Sequence, residues 1–214
     1  LYPIFMLILQ LILALGLGWI VGKALSLFHP LLFWVGFGVV PFVLRFFQRY
    51  DSKFFVYYLM HDYAYSARWR GANPPDLEHR MAEFQMAILG ALEEDYDEVL
   101  VVGHSSGAHL GISVVSDVLQ SAPDAHKNKL SFLTLGQVVP MVSFLPDAWR
   151  LRADLRYLSD QDHVPWLDVT APGDGCAFAL CDPVAVSGVA GPNQKGPLVI
   201  SAAFKNTLSP ERYA

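Results

Sequence analysis

An α/β domain built on a mostly parallel sheet flanked by helices, preceded by a transmembrane helical hairpin, is the fold class predicted by this 214-residue sequence. Three observations predict it. Residues 1–50 hold no Asp or Glu and only three basic residues, Lys23, Arg45 and Arg49. From Lys53 onward, apolar runs of strand length alternate with stretches at helical spacing, the rhythm of a parallel sheet. One of those runs, Val99–Val102, leads directly into Gly103-His104-Ser105-Ser106-Gly107. The expected division is residues 1–50 for the hairpin and 51–214 for the α/β domain.

In the hairpin, Leu1 to Gly22 is an apolar run whose one strongly polar side chain is Gln10. At about 1.5 Å per residue it can cross a hydrocarbon core about 30 Å thick. Lys23 ends it, Ala24–Pro30 reads as a connection, and Leu31–Leu44 resumes the run, with a kink expected at Pro41. Gly16, Gly18, Gly36 and Gly38 are the small residues that would let two helices approach closely. A single span followed by a re-entrant or interfacial second segment is the alternative. Arg45, Arg49 and Lys53 after the second segment, against Lys23 in the turn, put the following domain in the cytoplasm.

In the second part, Phe54–Met60 reads as a strand ending at His61-Asp62-Tyr63, followed by a polar loop, Ser66–Pro75. Leu77, Met81, Phe84, Ile88 and Leu92 mark an amphipathic helix entered through Asn73-Pro-Pro-Asp76. The strand before Gly103 and a helix marked by Leu110, Val114, Val115, Val118 and Leu119 come next, then the strand Leu130–Leu135, stopped by Gly136. All 20 acids lie after residue 50 against twelve basic residues, a net charge of −8 that disfavours nucleic acid as a partner. Cys176 and Cys181 are too few for a disulfide framework and lack the further ligands that zinc needs, so two reduced thiols and no metal are expected.

The Gly-x-Ser-x-Gly segment carries the chemistry. A serine hydroxyl becomes a useful nucleophile when a sharp turn holds it out within reach of a base. Glycines two before and two after permit that turn, because a β-carbon at either place is expected to crowd the neighbouring strand or helix. The N–H of Ser106, opening the following helix, can then face a developing oxyanion. This segment resembles the nucleophile elbow of the α/β-hydrolase superfamily, lipases and esterases among them. Phe132-Leu-Thr-Leu-Gly136-Gln137 is similar to the "TLGSP" strand-to-loop step that follows the nucleophile helix in lipase-like members, with Gln137 in place of Ser. Trp166-Leu-Asp-Val-Thr170, Asp174 and Asp182-Pro-Val184 are similar to the "W-x-N … D-P-V" segment carrying the triad acid.

The resemblance implies an α/β-hydrolase-like sheet with Ser105 as nucleophile and Asp174 as acid. Asp182 is the alternative acid, with the better local match at Asp-Pro-Val. The Ser106 N–H and one from the loop at His61 are expected to form the oxyanion hole. The superfamily order of serine, acid, histidine is incomplete here, since no histidine follows Asp174. Of those upstream, His163 is the one that a loop could bring near. Ser209-Pro210 reads as the opening of a helix, so the natural chain is expected to continue past Ala214 and to carry its histidine there. A degenerate hydrolase that has lost its base is the rival expectation.

The function so implied is a membrane-anchored serine esterase or lipase acting without a cofactor on an ester or thioester of a lipid-like substrate. An acyltransferase on the same fold, or an inactive membrane-anchored scaffold, are the alternatives. The lipid bilayer and a small ester are the expected partners; the sequence carries no sign of oligomeric state.

Overall fold

A computed structural model describes residues 2–203, 205 and 208–213. The chain forms two compact units, Leu1–Ala64 and Tyr65–Ala214.

The first unit contains two helical segments long and apolar enough to span a membrane, Tyr2–Ser26 and Pro30–Arg49. The first is the continuous helix α1 (Tyr2–Ser26). The second is a 3₁₀ helix (Pro30–Val39) that becomes α2 (Val40–Arg49) at Pro41, so the proline marks a change of helix type. A 3₁₀ helix rises about 2.0 Å per residue, so this segment reaches further than its length suggests. The segments pack through glycine, though only partly through those expected. A β-carbon on Gly36 would lie 2.2 Å from Gly22 N, and one on Gly22 would lie 2.4 Å from Phe33 O. Gly18 is also tight, against Phe37 and Val40, whereas Gly16 and Gly38 face open space. Gln10, Ala14, Gly18 and Gly22 form the buried stripe of α1, with Phe5, Ile12 and Ile20 exposed around it.

Residues 54–60 are not a strand. They lie in two helices, α3 (Asp51–Phe54) and α4 (Val56–Arg68), separated by Phe55 at φ +53°. The cause is local. Asp51 Oδ1 accepts the N–H groups of Val56 and Tyr57 at 2.8 and 2.9 Å, and its Oδ2 accepts that of Tyr58 at 2.8 Å. These are first-turn donors, which a helix otherwise leaves unsatisfied. The boundary between the two compact units falls inside α4.

The second unit is α/β: a four-stranded, all-parallel sheet in the order β1-β2-β3-β4, flanked by helices. Its elements in chain order are α5 (Pro75–Glu93), β1 (Val99–His104), α6 (Ser106–Ser121), α7 (Asp124–Lys127), β2 (Leu130–Leu135), α8 (Val139–Ser143), α9 (Trp149–Ser159), β3 (Trp166–Thr170), α10 (Pro183–Val186), β4 (Leu198–Ser201) and α11 (Pro210–Tyr213). The strand 130–135, the helix after Ser105 and the helix begun at Pro75 lie where their patterns predict them.

The register places Val101, Phe132 and Trp166 on one face of the sheet, followed one pleat on by Gly103, Thr134 and Asp168. Helices α6 and α9 pack together over this face. Ala108, Ile112, Val115, Leu119, Phe132, Leu155 and Leu158 form its core. Helix and sheet come close at Gly111, where a β-carbon would touch the Phe132 ring at 2.9 Å. Arg150 of α9 ties three elements by pairing with Glu78 of α5 and Asp117 of α6, and approaches Asp154 at 3.4 Å. On the other face, Leu100, Val102, Leu167, Leu198 and Ile200 keep between 38% and 62% of their surface exposed. Parallel sheets are ordinarily covered on both faces, so this apolar surface is unusual.

Candidate active site

Ser105 sits between the end of β1 and the first residue of α6 with φ +54° and ψ −120°. A residue with a β-carbon occupies this backbone region at a cost of about 1–3 kcal/mol. Two features hold it there. Its N–H donates to the carbonyl of Leu135 at 2.9 Å, continuing the β1–β2 ladder past the strand end. Gly103, two residues earlier, lets the first turn of α6 close against the strand. A β-carbon there would meet Gly107 O at 2.6 Å and Ala108 Cα at 2.9 Å. The expected need for glycine is real at 103 and absent at 107, where nothing lies within 4 Å of an added β-carbon.

Because all four strands are parallel, Ser105, Gly136, the 171–182 loop and Ala202 all follow strands at the sheet's carboxyl edge. That is the edge at which open α/β sheets bind ligands. The Ser106 N–H lies at the amino end of α6, where backbone donors and the helix dipole favour negative charge.

Asp174 reaches the same edge. Gly136, at φ +54°, directly follows the residue that accepts the Ser105 N–H. A β-carbon on Gly136 would lie 3.6 Å from Asp174 Oδ2. The other oxygen, Oδ1, accepts the N–H groups of Cys176 and Ala177 at 2.8 and 3.3 Å, which leaves Oδ2 turned toward the strand end. Asp182 is differently engaged. Its Oδ1 caps α10 through Val184 N and Ala185 N, and its Oδ2 accepts from Gln194 Nε2 at 2.8 Å. Both oxygens of Asp182 thus have structural partners.

His61 is not on a loop after a strand. It lies inside α4, where a backbone N–H serves the helix's own ladder, so the loop expected to offer a second oxyanion donor is absent. His163 precedes β3 and so lies at the amino edge of the sheet, opposite Ser105; its Nδ1 is 3.4 Å from Asp162 Oδ1. Among the described residues Ser105 Oγ makes no hydrogen bond, and no three or more His, Cys, Asp or Glu side chains are grouped to hold a metal ion. Burial raises the thiols of Cys176 and Cys181 above their ordinary range.

The structure adds residues that sequence reasoning missed. Trp166 Nε1 donates to Thr134 Oγ1 at 3.3 Å, and Thr134 Oγ1 donates to Asp168 Oδ1 at 2.7 Å. Asp168 is fully buried, its Oδ2 has no hydrogen-bond partner, and burial pushes its carboxyl up to about 6. Gln137, also buried, receives the Val139 N–H and donates to the carbonyls of Phe178 and Cys181, anchoring the loop that carries Asp174. Beside the elbow, an apolar cleft of about 300 Å³ lies between α5, β1 and α6, with Leu77, Met81, Phe84, Ile88 and Leu110 on its walls and Gly107 at its border.

Compared with protein-family models, curated proteins and solved structures, the chain matches none of them.

Proposed function

We propose that this chain is a membrane-anchored, α/β-hydrolase-like serine esterase. The observation that carries the reading is the backbone of Ser105: a strained turn between a parallel strand and a helix, with a glycine at 103 that the packing requires. Few structural needs explain a strained serine at the carboxyl edge of a sheet; holding out a nucleophile is one of them. Ser105 Oγ attacks the ester or thioester carbonyl while the Ser106 N–H faces the developing oxyanion. The alcohol or thiol leaves, and water then releases the acid from acyl-Ser105. Asp174 is the acid at this edge, with Asp182 held in a capping role. A base takes the Ser105 proton; among the described residues none is hydrogen-bonded to Ser105 Oγ. The two apolar N-terminal helices and the cleft beside Gly107 support an amphiphilic substrate, with the helices inserted as a hairpin and the catalytic unit on the cytoplasmic side.

The test is fluorophosphonate labelling of the full natural protein in neutral detergent. An adduct on wild type that disappears in Ser105→Ala supports the reading, and no Ser105-dependent adduct refutes it. Product analysis with and without an alcohol acceptor separates hydrolysis from acyl transfer. One observation favours a second reading, a catalytically silent scaffold: no described histidine hydrogen-bonds Ser105 Oγ. The same labelling decides between the two.

A further inference from the structure

The outer face of α2 carries a pattern that the esterase reading leaves unused. Val43, Leu44 and Phe47 are half-buried on the side that packs toward α1. Phe42, Arg45, Phe46 and Arg49 recur one turn apart on the other side, all exposed. With Gln48 they line an open depression of about 560 Å³. Side chains four residues apart on a helix have β-carbons about 5–6 Å apart, so two guanidinium groups here can meet around one small anion.

Among the described residues no carboxylate pairs with either guanidinium. No side-chain hydrogen bond or ion pair of Arg45 or Arg49 occurs among the described residues, whereas Arg70, Arg80, Arg150 and Arg156 each pair with a carboxylate. Residues 1–50 contain no acid at all. Asp51, the nearest in sequence, has both oxygens committed to the N–H groups that open α4. Lys53 adds a third cation nearby, its ammonium over the Tyr50 ring at 5.7 Å.

We propose that Arg45 and Arg49 form a binding site for the phosphate of an anionic phospholipid, with Phe42 and Phe46 against its acyl or glycerol portion. Guanidinium groups grip phosphate oxygens in pairs, and a long basic side chain near the end of an apolar segment carries its charge outward to the headgroup level. The charge balance selects the lipid class. A zwitterionic headgroup brings its own ammonium to a helix with no carboxylate of its own, whereas an anionic headgroup supplies a counter-charge for the two guanidinium groups. The proposal rests on membrane insertion of the N-terminal helices and is independent of any chemistry at Ser105.

The full protein in neutral detergent, offered equal amounts of phosphatidylglycerol and phosphatidylcholine, is read by native mass spectrometry. Wild type is expected to retain phosphatidylglycerol about thirtyfold over phosphatidylcholine, the order of effect of two surface cations. Arg45→Gln/Arg49→Gln is expected to lose the preference, Arg45→Lys/Arg49→Lys to recover part of it, and Lys53→Gln to keep most of it. Equal retention of both lipids by wild type, or an undiminished preference in the double Gln variant, overturns the site. Displacement of the lipid by millimolar inorganic phosphate overturns the lipid assignment in favour of a free anion. Alkaline carbonate extraction of membranes is run alongside: release of wild type refutes insertion itself, while retention of both wild type and the double Gln variant assigns a lost preference to the arginines.

Discussion

Replacing Gly103 by Ala isolates the contact that shapes the elbow. The added methyl carbon would sit 2.6 Å from Gly107 O, 2.9 Å from Ala108 Cα and 3.0 Å from Gly107 C. All three atoms are backbone, so no side chain can swing aside. Relief requires the start of α6 to move off β1 by roughly half an ångström or more, at an overpacking cost of about 1–3 kcal/mol. The upper end applies here, because α6 is also packed against α5 and α9, which resist its moving off the sheet. Gly107→Ala is the matched control. Its methyl enters open space within a helix, where Ala is favoured over Gly by about 0.5–1 kcal/mol. Thermal unfolding of the full chain in neutral detergent, followed by tryptophan fluorescence, should therefore place Gly103→Ala about 5–10 °C below wild type and Gly107→Ala at or slightly above it. Fluorophosphonate labelling of Ser105 should fall with the first substitution and survive the second. Equal destabilisation by the two variants would show that the two glycines are interchangeable, and the steric account of the elbow would be wrong.

Other substitutions probe the same architecture. Ser105→Gly removes the β-carbon from a backbone at φ +54° and should raise stability by about 1 kcal/mol relative to Ser105→Ala, measured by the same unfolding assay. Asp168→Asn tests the buried carboxyl, whose value of about 6 stands well above the ordinary 3.8. The raised value means that the folded state holds a proton which the unfolded chain has lost, so stability falls as pH climbs from about 4 to about 6 and stays low above that. Asn escapes this loss: the variant should gain roughly 1–3 kcal/mol over wild type at pH 7.5 and lose that advantage near pH 4, and a pH-independent difference would contradict the burial argument. Arg150→Met leaves Glu78, Asp117 and Asp154 without their shared cation and should cost about 2 kcal/mol, checked by unfolding at low and high salt.

Sequence alone determined those features whose causes are local. The strand–turn–helix at Ser105 is legible because strand, glycine, serine and helix start lie within ten residues, and backbone sterics act over that distance. The strand at 130–135 and the helix from Pro75 are legible for the same reason, since one buried face imposes its period on the chain. The run Phe54–Met60 misleads because a short apolar aromatic stretch suits a strand as well as a helix; Asp51 decides the matter by capping the first turn of α4. Tertiary structure decided what depends on distant segments meeting. Gly22 matters because Phe33 and Gly36 come to lie against it, while Gly16 and Gly38, equally small, meet nothing. Asp174 and Asp182 look alike in sequence, and they separate because the β2 end at Gly136 stands beside one and Gln194 binds the other. Parallel pairing sends Ser105 and Asp174 to one edge and His163 to the opposite one, an outcome that strand direction sets and residue spacing does not record.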